Sequence, residues 1–259
     1  MGVKMSKPPI FYVLGQVKFS PVLEIATYVP KIQEELRKEF PLFKEDTINN
    51  FQLKIESGVP RPSFAQTSRW QFARADNMSG FLLARDFVTF HTTAYETFEP
   101  FLESMTRGLD VVNRAASLGL IESTAIRTLD AVIPEPGHKV QDYLKPEACG
   151  LSEQLDGELK QSTVECVRDI PPDGTLISRV AIVKGGLGIP MDLFPITLEL
   201  KSKLKEIDTW HALVDNDRQL RGSFEFDLQK IKTCLSEVKL GVSRAFYNSV
   251  SEFAIESWR

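Results

Sequence analysis

The sequence predicts an α+β fold built as a tandem duplication, with two copies of a β-α-β4-α unit over residues 1–118 and 119–259. Two observations predict it. Alternating strand patterns and helical apolar stripes follow one another in the same order in both halves. In addition, Val112-Asn113-Arg114-Ala115 is echoed by Val242-Ser243-Arg244-Ala245, and the same offset sets Leu83 on Leu213 and Asp86 on Asn216.

Phe11, Val13, Gly15, Val17 and Phe19 alternate with Ile10, Tyr12 and Leu14, which predicts a strand buried on both sides at its start. Val22, Ile25, Val29, Ile32, Leu36 and Phe40 then form one helical stripe, kinked or restarted at Pro30. Phe51, Leu53 and Ile55 alternate, as do Trp70 and Phe72, and Asp76-Asn77-Met78-Ser79-Gly80 supplies a turn before strands over 81–85 and 87–91. Tyr95, Phe98, Phe101, Leu102, Met105, Leu109 and Val112 mark a second helix, with Thr93 and Glu96 as its capping box.

The second half opens with a strand over 125–133 and a shrunken helix over 141–144. Strands over 159–168 and 176–184 are joined by Pro171-Pro172-Asp173-Gly174. An insertion over 185–206 begins with Gly185-Gly186-Leu187-Gly188 and reads as a flexible loop. The run 210–214 reads as a strand, Asp215-Asn216-Asp217 as a turn, and 218–222 as a short strand. Asp227 caps a long helix through Ile231, Leu235, Val238 and Val242, and a short C-terminal helix carries Ser249 and Glu252 as a capping box, with Phe253 and Trp258 as docking residues. Antiparallel sheets of this kind must be covered on one face, and the helices are the available cover. By element order the arrangement is TATA-binding-protein-like or helix-grip-like, an analogy that does not fix function.

Composition narrows the function classes. With 31 Lys+Arg against 35 Asp+Glu, the net charge of −4 argues against a general polyanion binder. No run of about 18 apolar residues is present, so no membrane span is expected. Cys149, Cys166 and Cys234 match no zinc or redox spacing and read as reduced thiols of a cytoplasmic protein. Met1-Gly2-Val3-Lys4-Met5-Ser6 fits an N-myristoylation pattern, against the simpler reading that Met5 is the initiator.

Segments spread along the chain carry a resemblance. They are Pro8-Pro9-Ile10, Trp70-Gln71-Phe72, the run 81–90, Phe98-Glu99-Pro100-Phe101, Ala212-Leu213-Val214-Asp215 and Ser223-Phe224-Glu225-Phe226-Asp227. On these the chain resembles a sporadically distributed prokaryotic family of uncharacterised proteins of about 250 residues. That family's mid-chain strand carries an Arg-Tyr-(Asn/Asp)-Arg-like stretch. Here it reads Ile126-Arg127-Thr128-Leu129-Asp130-Ala131-Val132, without the aromatic and the second Arg. The family's patchy distribution implies accessory genes, such as antitoxin, immunity or phage-defence components.

Chemical motifs are sparse. Gly185-Gly186-Leu187-Gly188 lacks both the phosphate-loop ending and the dinucleotide context. His91, His138 and His211 form no metal-binding pair and read as surface or strand-end residues. No catalytic, cofactor or metal residue is assigned. Asp86 and Asp215 read as tight-turn residues. The binding candidates are Arg114 and Arg244 near the ends of the long helices, with Trp70, Trp210 and His211. The leading expectation is a non-enzymatic protein-interaction module with a protein partner or self-association. The alternative is a small-molecule binder or unrecognised enzyme with a pocket between helix and sheet, lined by Phe72, Phe81, Phe87, Phe90, Phe98 and Phe101. Nucleic-acid binding ranks third, because it rests on the fold analogy and the charge opposes it.

Overall fold

Every strand among the described residues joins one antiparallel sheet, seen in a computed structural model that describes residues 5–56, 59–151, 155–193 and 196–259, with the backbone alone over 48–56 and 59–67. In chain order the elements are β1 (Ile10–Phe19), α1 (Ile25–Leu36), β2 (Leu42–Glu56), β3 (Val59–Ala73), β4 (Ser79–Leu83), β5 (Phe87–Thr92) and α2 (Phe98–Ala116). There follow β6 (Leu120–Val132), a 3₁₀ turn at Val140–Tyr143, α3 (Pro146–Cys149), β7 (Gln161–Ile170) and β8 (Gly174–Gly185). A second 3₁₀ turn at Met191–Leu193, α4 (Ser202–Lys205), β9 (Thr209–Glu225), α5 (Leu228–Ser249) and α6 (Glu252–Ser257) complete the chain. Gly2 lies outside the described residues, as do the side chains of Phe51, Leu53 and Ile55.

The strand order is β2-β3-β4-β5-β1-β6-β9-β8-β7. This overturns the expected tandem duplication of a β-α-β4-α unit. The two halves share one sheet, hydrogen-bonded through β1 and β6, where Gly15 faces Ile126 and Val17 faces Thr124. The second half also lacks the parts of the unit. Pro134, Pro136, Pro146, Gly137 and Gly150 interrupt the region after β6, so only two short turns of helix form there. Three strands follow instead of four, because β9 runs without a break through Asp215-Asn216-Asp217.

The helices lie on one face. α2 packs on β5, α1 packs on α2 and β3, and α5 lies across β6, β8 and β9. Beneath them Val13, Val17, Phe81, Phe90, Ile121 and Ile126 of the sheet meet Met105 and Leu109 of α2 and Ile231, Leu235, Val238 and Val242 of α5. α5 therefore closes a core that both halves furnish. Close approach is written into two glycines. A Cβ on Gly108 would run into the Phe81 ring, and one on Gly241 would meet the Arg218 guanidinium, which donates to the Glu237 carbonyl at 2.9 Å.

Two of the expected caps differ and the third, Asp227, is as expected. α2 starts after Thr97, while Thr93 Oγ1 donates to the Glu199 carbonyl at 2.6 Å. Asp227 caps α5 by accepting from the Gln229 and Lys230 amides. Ser249 is the last residue of α5, and Ser251 caps α6 by accepting from the Ala254 amide at 3.1 Å. Trp258 docks in a second cluster with Val132, Val140, Tyr143, Ile182 and Val214. No helix among the described residues is long and apolar enough to cross a membrane.

Candidate functional site

The face opposite the helices carries the most concentrated chemistry. Alternation along β6 and β9 sends Arg127, Leu129 and Ala131 to this face, along with Leu213, Asp215 and Asp217. Arg127 is 4% exposed and Asp215 1%. The guanidinium grips Asp215 through Nε and a terminal nitrogen, both at 2.8 Å, in the two-pronged geometry that makes arginine–carboxylate pairs strong. Asp192 closes on the other side of Arg127. Arg179 of β8 reaches Asp215 at 3.2 Å and also pairs with Glu165 of β7. One ionic chain thus crosses β6, β9, β8 and β7. Burial opposes the charge on Arg127, but its hydrogen bonds to Asp215 and Asp192 hold it charged. The same bond to Arg127 draws the Asp192 carboxyl below its usual range. Asp217, opposite Arg127 in register, is pushed up by burial.

Residues 186–193 and 196–207 cross this face as a strap. Asp192 ties it to β6, and the Asn77 side chain donates to the Thr197 carbonyl at 2.9 Å. The Glu199 amide donates back to the Asn77 carbonyl at 2.8 Å. Asn77 holds a left-handed φ of 54°, a conformation asparagine tolerates better than most residues. Leu198, Leu204 and Ile207 of the strap bury Phe11, Tyr12, Leu129 and Leu213. A register shift between Ile10 and Tyr12 brings both Phe11 and Tyr12 into this cluster.

Beneath the strap's edge, the Tyr12 hydroxyl and His91 Nδ1 lie 3.0 Å apart. Burial, helped by Arg69, holds the His91 imidazole down to about 3, so it is neutral, and burial pushes the Tyr12 phenol up. Tyr12 is therefore the donor and Nδ1 the acceptor, which leaves the proton on Nε2 without a partner among the described residues.

A second polar group sits on the helix side. Burial pushes the Asp130 carboxyl up to about 7, and burial lowers the ammonium of Lys239 on α5. Lys239 donates to Ser243 Oγ at 2.7 Å. Asn216 lies across from Thr128 in register, fully buried, with neither amide atom partnered among the described residues.

The five residues singled out in sequence are not gathered. Trp70 is buried in the helix-side core. Trp210 and His211 are neighbours in β9, so they point to opposite faces. Trp210 packs on the cluster around Trp258, and His211 is buried with Nδ1 3.0 Å from the Thr209 carbonyl. Arg114 pairs with Glu35 of α1 and Asp110 at the exposed end of α2. Arg244 is exposed on α5 and lies short of its last turn. His91, next to the end of β5, and His211, in β9, lie in strands as expected but are buried, against the expected surface position. Of the six aromatics proposed to line a pocket, Phe72, Phe81, Phe90 and Phe101 are tightly buried, and Phe87 and Phe98 partly so. The residues missed are Arg127 and Asp215. Their signal was a lone arginine inside the apolar run 125–133, matched by a carboxylate directly after the apolar run 210–214.

A cavity of about 170 Å³ opens where the N-terminal segment, the end of β6, α4 and Trp258 meet. A shallower one of about 370 Å³ lies on β2 and β3 beside Thr197 of the strap. No family model matches the chain, and no curated protein matches it.

Proposed function

We propose that the protein is a non-enzymatic interaction module that captures an extended segment of a partner protein along strand β7. The observation that carries this is the state of β7. It is the last strand of the sheet, ten residues long, and residues 165–169 are exposed. An edge strand offers a row of unpaired backbone donors and acceptors that another strand can complete. Val167, 58% exposed, stands between Glu165 and Asp169 on the face that also carries Arg179. The preferred partner strand sets an aliphatic residue opposite Val167 and basic residues opposite Glu165 and Asp169. The ionic chain from Arg127 to Glu165 supports the reading by stiffening the hairpin that presents the edge. The resemblance to a patchily distributed prokaryotic family supports a cytoplasmic accessory role of the antitoxin, immunity or phage-defence kind.

Selection of random peptides on the full chain tests this. Enrichment of basic-x-aliphatic-x-basic sequences is expected, with capture lost in Val167→Asp while the melting temperature holds. Selection that converges on no such pattern, or peptides that bind Val167→Asp equally, would sink the proposal.

A further inference from the structure

The cavity beside Trp258 has the makings of a ligand site. Four separate segments build it, so it exists only in the folded chain. One part of its wall is apolar, formed by Phe11, Ile133, Leu204 and the flat Trp258 indole. At about 170 Å³ it matches the size of an apolar cavity that accepts a benzene ring, about 150 Å³.

The charged groups around it are mostly basic. Lys7, Lys201 and Lys203 line the cavity, and none has a carboxylate partner among the described residues. Glu135 is the single acidic residue of the lining. Ammonium groups therefore outnumber carboxylates, which favours an anion in a site partly screened from water.

One buried group adds direction. Tyr143 is 1% exposed and lines the same cavity. Its hydroxyl accepts from the Glu135 backbone amide at 3.2 Å. Among the described residues nothing accepts the proton of that hydroxyl. A phenol already engaged as an acceptor, with its proton to spare, is suited to an incoming acceptor oxygen.

We infer that this cavity binds a small monocarboxylate with a flat apolar body, the body against Trp258 and the carboxylate between the Tyr143 hydroxyl and the lysine rim. The apolar wall selects against bare inorganic anions, and the lysines with the hydroxyl select against the neutral isostere. This site is independent of the β7 edge, so either can fail without the other.

The probe is para-fluorobenzoate, followed by fluorine NMR line broadening on the full chain, with para-fluorobenzamide as the neutral control. Benzoate is expected to bind, and the benzamide about tenfold or more weaker, since a hydrogen bond to a charged group contributes about 1.5–3 kcal/mol. Tyr143→Phe and the exposed double variant Lys201→Gln/Lys203→Gln should each weaken benzoate by a similar factor. Lys44→Gln, on the other side of the sheet's span, should leave it unchanged. Three results would overturn the inference. They are no broadening of benzoate, equal binding of benzamide, and displacement of benzoate by inorganic phosphate at matched concentration. Far-UV circular dichroism confirms that each variant is folded, and Tyr143→Phe keeps the test decisive if the double variant is not.

Discussion

Arg127 shows how one side chain can reorganise the reading of a whole strand. A charge at this depth is tolerated only when paired and fully hydrogen-bonded. Asp215 and Asp192 do both, and Arg179 supports Asp215 from the next strand. Removing Arg127 leaves the buried Asp215 carboxylate with only the longer contact to Arg179. Arg127→Met is therefore expected to lower the unfolding free energy in urea by about 3–5 kcal/mol. The double variant Arg127→Met/Asp215→Leu should recover most of that, because no lone charge remains. A loss below about 1 kcal/mol in the single variant would contradict the account. Asp130 and His91 set a pH signature. Asp130 has its folded pKa raised to about 7, so stability falls as pH climbs from about 4 to 7. His91 has its folded pKa lowered to about 3, so stability rises as pH climbs from about 3 to 6.5. The two slopes oppose each other over the shared window. Thr128, Lys239 and Asp215 are the groups that bear on Asp130. Asp130→Asn should remove the falling slope, so the variant gains stability on the native protein as pH rises from about 4 to 7 and holds that gain above 7. Parallel pH profiles for the two proteins would refute this.

Among the elements, those whose residues bury against their own periodic stripe were legible. α2 and α5 announced themselves by spacing, because the stripe Phe101, Met105, Leu109 and Val112 of α2 and the stripe Ile231, Leu235, Val238 and Val242 of α5 face one core. Elements decided by distant partners were not. β9 contains Asp215-Asn216-Asp217, which reads locally as a turn. It stays extended because arginines from β6 and β8, remote in sequence, neutralise Asp215. Thr93 read as a helix cap, yet its hydroxyl serves the Glu199 carbonyl of the strap, a partner no local pattern contains. The candidate site was hidden for the same reason. The strap read as a loose insertion, since its anchors, Asp192, Thr197 and Glu199, meet residues from the first half and from β6. Loosening one anchor should free it locally. In Asp192→Ala, amides over residues 196–207 are expected to exchange faster with deuterium, while the global unfolding midpoint shifts little. Arg127 keeps Asp215, and Asp192 is itself exposed at the surface, where ion pairs contribute about 0–1 kcal/mol. Unchanged exchange in the strap would mean that its apolar contacts alone hold it down.

For the molecule as a whole, the sheet is the unit of cooperation. β1 and β6 are paired along most of their length, and α5 of the second half packs with α2 of the first over the same core. The two halves of the sequence should therefore melt together. A single urea transition is expected by far-UV circular dichroism and by tryptophan fluorescence, with Trp70 reporting the first half and Trp210 and Trp258 the second. A fragment of residues 1–118 should remain largely unfolded until residues 119–259 are added. Two separated transitions, or a folded fragment, would show that the seam contributes little. The nine-strand order has a geometric consequence as well. Neighbouring strands rotate by about 20–25° each, so eight steps accumulate roughly half a turn from β2 to β7. At that average twist the two terminal strands would run in nearly opposed directions. Copies stacked edge to edge through β7 would therefore wind into a helix instead of laying a flat ribbon.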